Sequence, residues 1–158
     1  MSIAVVGDKE VIERFHALPE RTRAAVAGSV GRLALLLQRR VMQKLSGDVL
    51  NVKTGRLRRS IDQVVLRDDA QIVGVVSTNV KYARVHEYGF SGTVNVRDHL
   101  RQVKQAFGRP IAARAVMVTA HTRKANVPEK SFLRSALADM KPQIIEEMRR
   151  AAKAGMNS

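Results

Sequence analysis

The chain has 158 residues, 45% of them hydrophobic and 27% charged, the composition of one globular domain with a sizeable core. It contains no Cys and no Trp, which excludes disulfides, thiolate catalysis and sulfur-ligated zinc, and its 4% aromatic content leaves little for a partner surface built on stacked rings. Twenty-eight Lys and Arg against fourteen Asp and Glu give a net charge of +14, a field that favours an acidic neighbour: nucleic acid, an acidic protein surface or an anionic membrane.

Residues 1–7 hold a short apolar run (Ile3, Ala4, Val5, Val6), an edge strand or a frayed terminus. Residues 8–17 have helical spacing in Val11, Ile12 and Phe15, with Asp8 as N-cap and Glu10 and Glu13 near the positive end of the helix dipole. Pro19 then breaks that helix or opens the next. From residue 20 to 45, Val26, Val30, Leu33, Leu37, Val41 and Leu45 recur in steps of three and four, one face of the longest predicted helix. Gly28 and Gly31 weaken it by about 1 kcal/mol each, or mark a close approach to another backbone. The other face carries Arg21, Arg23, Arg32, Arg39, Arg40 and Lys44, and Ser46-Gly47-Asp48 ends the helix as a C-cap.

Thr54 caps a short helix within residues 53–61, with Leu57 and Ile61 at i and i+4. Residues 63–67 and 71–77 read as Val- and Ile-rich strands joined by Asp68-Asp69-Ala70 in a hairpin. Residues 80–88 make one helical excursion closed by Gly89. Residues 93–107 and 111–122 flank the turn signal Gly108-Arg109-Pro110. The second run alternates as a strand; the first alternates at Val94 and Val96, yet Leu100, Val103 and Phe107 also suit a helix. We take the pair as an extended hairpin around residues 93–122. A last helix over residues 131–154 places Leu133, Leu137, Met140, Ile144 and Met148 on one face, with Pro142 kinking it or starting its second half. The predicted fold is α+β: a long N-terminal helix and a C-terminal helix packed on a small antiparallel sheet, one domain over residues 1–158, with the hairpin protruding.

Charge is uneven along the chain. Residues 20–60 hold ten basic side chains against Glu20 and Asp48, and residues 92–124 hold seven against Asp98 alone. No stretch reaches the roughly 18 apolar residues that span a bilayer, and no basic segment followed by an apolar run opens the chain, so the reading is a cytoplasmic protein without membrane contact. Of the four histidines, His86-Glu87 lacks a second His at i+4, and His16, His86, His99 and His121 read as structural or surface residues rather than metal ligands. Ser60, Ser77 and Ser131 lie outside any nucleophile elbow, and Gly89-Phe90-Ser91-Gly92 lacks the Lys-Ser/Thr of a P-loop. The sequence predicts no catalytic, cofactor or metal site.

Three stretches in order change the reading. Lys53-Thr54-Gly55-Arg56-Leu57-Arg58-Arg59-Ser60-Ile61, then Tyr82-Ala83-Arg84-Val85-His86-Glu87-Tyr88-Gly89, then Pro128-Glu129-Lys130-Ser131-Phe132-Leu133-Arg134-Ser135-Ala136-Leu137 resemble the tail-completion or neck proteins of long-tailed phages, the group of lambda-type minor tail protein Z. The resemblance covers residues 20–150 and implies a virion component, assembled in the host cytoplasm as a ring of six copies, that joins the tail to the head and lets DNA pass. It implies connector or head-completion proteins on one side and tail-terminator or tail-tube proteins on the other, and it supplies no catalytic residue. Residues 93–122 are longer and more basic than a connection between the second and third motifs requires. The expected interaction surface is Arg32, Arg39, Arg40, Arg56, Arg58 and Arg59, with residues 93–122 reaching towards an adjacent subunit. Arg84 and Glu87 are read as pairing across a subunit boundary, Arg134 as free to contact a neighbour, and Tyr82 and Tyr88 as core rings. The rival reading is a nonspecific nucleic-acid-binding protein.

Overall fold

A computed structural model describes residues 2–4, 20–68 and 71–156. The helix predicted over residues 8–17 lies outside them. Two compact units make up the chain: Met1–Tyr88 with Glu129–Ser158, and Gly89–Pro128.

The first unit is built on a three-stranded antiparallel sheet in the order β1-β3-β2, from β1 (Ser2–Ala4), β2 (Ile61–Arg67) and β3 (Ile72–Thr78). Ile3 and Ala4 of the apolar opening run thus belong to an edge strand, with Ser2 opposite Ser77 and Ala4 opposite Val75; Val5 and Val6 lie outside the described residues. Helix α1 (Glu20–Gln43) buries the predicted stripe Val26, Leu33, Leu37 and Val41. Close approach is achieved at Gly74 of β3 and not at the helix glycines. A Cβ on Gly74 would lie 3.2 Å from Val30 and 3.3 Å from Ala34, whereas one on Gly31 would meet nothing within 4 Å. Gln38 Nε2 donates to Ile61 O at 2.9 Å, which fixes the start of β2 along the helix. The helix ends in a π-helical turn, Lys44–Asp48, where Gly47 takes φ +133° and Ser46 Oγ donates to Met42 O at 2.6 Å.

A single helical turn, α2 (Arg56–Arg59), follows Gly55 at φ +69°. Ile61, expected at its far end, instead starts β2 and is buried there. Helix α3 (Ala83–Tyr88) is closed by Gly89 at φ +73°. The last helix, α4 (Phe132–Met156), runs unbroken through Pro142. It lies antiparallel along α1: Asp139 meets Arg40 and Lys44 near the end of α1, while Gly155 meets Thr22 near its start. A Cβ on Gly155 would sit 2.5 Å from Thr22 Cα, so only glycine lets the two backbones cross there. Phe132, Leu133, Ala136 and Met140 close the core against Leu37, Val41, Leu45, Ile61, Val76, Val80 and Ala83.

The second unit is the predicted hairpin, extended at both ends. Strand β4 (Phe90–Val96) pairs with β7 (His121–Val127), and β5 (His99–Ala106) pairs with β6 (Arg109–Val118), so one ribbon is nested inside the other. The ambiguous run through Leu100 is therefore strand. The turn is Phe107-Gly108, one residue earlier than the Gly-Arg-Pro signal, with φ +50° and +76°. Positive φ at both positions is the pattern of a type I′ turn, whose hand matches the twist of the flanking strands. The fold is α+β, with the helices, small sheet and hairpin expected from the sequence.

Candidate functional site

The three sequence motifs converge in the first unit, and what they build is first of all a structural knot. Glu87, from the second motif, is fully buried. Its Oε2 accepts the N–H of Leu133 and its Oε1 the N–H of Arg134, both at 2.8 Å. A carboxylate thus caps the first turn of α4, where backbone donors have no helical partner and the dipole favours negative charge. The residue just before the helix, Ser131, holds φ +39°, and its N–H donates to Glu87 O at 3.2 Å. Glu87 therefore does not pair across a subunit boundary: no face of it reaches solvent, and its oxygens are occupied inside the chain.

Arg134 is tied into the same knot. Its Nε lies 3.3 Å from Glu87 Oε1, its Nη2 donates to Glu87 O at 3.0 Å and to Glu129 Oε1 at 2.6 Å, and its guanidinium sits 4.6 Å above the Tyr88 ring. Desolvation lowers its pKa, but the charge of Glu129 and the hydrogen bonds it donates to Glu87 and Glu129 outweigh it and hold the guanidinium above its ordinary value. Arg134 is thus engaged within the chain, bridging α3 to the start of α4, with its side chain still 43% exposed. Tyr88 and Tyr82 are exposed rather than core; Tyr82 meets His86 edge-on at 5.9 Å.

Beside this knot, the first and second motifs line a cleft of about 420 Å³. Its floor includes Leu45, Leu50, Val52 and Leu57, and Lys53, Arg56, Arg58, Tyr82 and His86 also line it. Thr54 contributes only a long contact, 3.4 Å from the Arg56 N–H, so Gly55 and not a side-chain cap shapes this turn. Arg32, Arg39 and Arg40 do not line the cleft, which gathers only part of the predicted cationic set. Arg40 is held at 2.8 Å by Asp139, Arg32 donates to Ser29 Oγ at 2.8 Å, and Arg59 donates to Thr54 O at 3.3 Å. Arg39, Arg56, Arg58 and Arg84 are exposed with no side-chain partner among the described residues.

The hairpin unit supplies the second candidate surface, one that residue type alone did not separate into faces. Beyond the first ribbon, Leu100 opposes Met117 and Gln102 opposes Ala115, two uncharged pairs on one face, with Leu100 68% and Met117 59% exposed; nearer the tip the same face carries Lys104, and Ala106 opposite Arg109. The reverse face pairs Arg101 with Val116, Val103 with Arg114 and His99 with Val118. Alternation of side chains across a ribbon produces this division. Phe107 stands fully exposed at the tip. His99 and His121 bond their own chain, Nδ1 lying 2.9 Å from Arg97 O and 2.8 Å from Thr119 O. Among the described residues no group of three His, Cys, Asp or Glu could hold a metal ion, and no helix is long and apolar enough to cross a membrane.

No curated protein and no solved structure matches the chain. A family model described as the phage virion morphogenesis family matches residues 11–138, a span that takes in the long helix, the cleft, the hairpin and the buried Glu87 knot. The chain belongs to the phage virion morphogenesis family.

Proposed function

We propose that the protein is a structural, non-enzymatic tail-completion or neck component, copies of which form a ring of six where the tail joins the head and through which DNA passes. Family membership supports a role in building the virion. The observation that carries the ring is the hairpin arm. A two-stranded ribbon is marginal in water without a third strand or a packed face, and this one leaves all of Arg109–Met117 exposed. Its Leu100–Met117 face and its tip find their packing on an adjacent copy. A patch on one copy that fits a different patch on the next is a heterologous contact, and such contacts form a ring when the rotation between copies closes and a filament when it does not.

Phe107 strengthens the argument. The left-handed conformation costs a side-chain-bearing residue about 1–2 kcal/mol, and Asn is the residue this turn type favours. An aromatic that is strained and exposed in the single chain gains its contacts elsewhere. The test is the mass in solution by light scattering, together with the joining of heads to tails in a complementation assay. Leu100→Ser with Met117→Ser, and separately Phe107→Asn, should leave the subunit folded, reduce the oligomer to smaller species and abolish joining. Particles formed at normal yield by both variants would refute the arm contact. Arg39→Gln with Arg58→Gln tests the connector-facing cations in the same assay: folded protein and failed joining are expected.

A further inference from the structure

We infer that the cationic face of the hairpin arm is a binding surface for duplex DNA. The first unit neutralises part of its own charge: Arg40 and Lys44 share Asp139, Arg134 is held by Glu87 and Glu129, and Arg150 by Glu146 and Glu147. The arm does not. Arg97, Arg101, Lys104, Arg109, Arg114, Arg123 and Lys124 face a single carboxylate, Asp98; all seven are exposed, and none has a side-chain partner among the described residues. Unpaired like charges on so narrow an element repel one another, and a polyanion is the ligand whose charge density matches them.

Geometry favours DNA over an acidic protein. Arg101 lies opposite Val116 and Arg114 opposite Val103, so the two arginines are diagonal neighbours on one face, about 7–8 Å apart at the Cα atoms. The most exposed apolar side chains of these strands, Leu100 and Met117, lie on the reverse face, and only the smaller Val103, Val116 and Val118 accompany Arg101 and Arg114. An acidic protein partner would be expected to use the apolar and cationic groups together, whereas phosphates need the cations alone. A two-stranded ribbon is also narrow enough to enter the major groove. No base-reading pattern accompanies these groups, and the binding is to backbone phosphate, independent of sequence.

The inference concerns the face opposite the one assigned to the neighbouring copy, and its test separates the two. Binding of the full-length protein to a labelled 30-base-pair duplex is followed by fluorescence anisotropy at 50 and 200 mM NaCl, with the mass measured in parallel. Wild type should weaken by about 10³-fold or more across that interval if the arm cations meet phosphates together. Arg101→Gln with Arg114→Gln should bind at least about tenfold more weakly at 200 mM, and its dependence of log affinity on log salt should be shallower by about 2. Arg123→Gln with Lys124→Gln, consecutive in β7 and so on opposite faces of the β4–β7 ribbon, should act in the same direction but change the slope by only about 1. Leu100→Ser with Met117→Ser should change the mass and leave the salt slope per subunit in place. The inference is overturned if wild type ignores the duplex, if the Arg101/Arg114 and Arg123/Lys124 pairs can both be replaced without loss of slope, or if only Arg39→Gln with Arg58→Gln flattens it. Retention of an acidic protein without retention of DNA would equally overturn it.

Discussion

Replacing Glu87 with Gln separates a residue that holds the subunit together from one that holds subunits to each other. The amide keeps the size and one acceptor oxygen, but its NH₂ must face either the Leu133 or the Arg134 N–H, both now bonded at 2.8 Å. Leaving one buried donor unsatisfied costs about 1–3 kcal/mol. Removing the negative charge from the start of α4 costs about 0.3–1 kcal/mol at the surface and up to about 2 when partly buried. The sum is about 1.3–5 kcal/mol, and at about 2–4 °C per kcal/mol for a chain of this size the melting point should fall by about 3–20 °C. Circular dichroism at 222 nm reads this directly, since α4 is 25 residues long. Glu129→Gln is the control: that carboxylate also bonds Arg134, at 2.6 Å, but it is 52% exposed, and the change should cost less than about 1 kcal/mol. A Glu87→Gln protein that melts like wild type yet fails to assemble would refute the buried cap and restore the boundary pairing.

Three further outcomes follow from the packing. Gly155→Ala should lower the melting point, because the new methyl meets the Thr22 backbone and forces the ends of α1 and α4 apart at a cost of about 1–3 kcal/mol; an unchanged value would mean the helices do not cross there. Gly31→Ala should raise stability by about 1 kcal/mol, since the site is open and helical, and a loss would reveal a contact at that face. Hydrogen bonds from Lys44, then Arg40, hold the Asp139 carboxyl below its ordinary 3.8. Its stabilising contribution is therefore present above about pH 4 and is lost as pH falls through the depressed folded value. Asp139→Asn should melt below wild type at pH 6, and the gap should close at about pH 2; a gap independent of pH would show that charge is not its source.

The helices, the sheet hairpin and the arm were legible because each is written in a local period. The steps of three and four from Val26 to Val41 and the turn after residue 106 need no partner to be read. What local pattern did not reveal was which charges are spent internally. Glu87 and Arg134 are 47 residues apart in the chain, and Asp139 stands 99 residues from Arg40. In sequence they look like other exposed charges. Tyr82 and Tyr88 misled for the opposite reason: α3 has only six residues, too short for a shared face to imply burial.

With twice as many cations as carboxylates, the location of the few acids decides which basic residues remain for a partner. Several of the described acids in the first unit are matched locally: Glu87 at the start of α4, Asp139 between two cations at the α1–α4 contact, Glu146 and Glu147 beside Arg150 within α4. Each local satisfaction removes a basic side chain from the set that composition alone presents as available. Arg40 and Arg134 leave it on that ground, while Arg39, Arg56 and Arg58 stay. The arm, with one carboxylate for seven cations and strands that share side chains between two faces, keeps its whole charge. Isolated, it has too little packing to justify an ordered ribbon and too much charge to justify a close one. Both deficits are met if one face lies on protein and the other on phosphate.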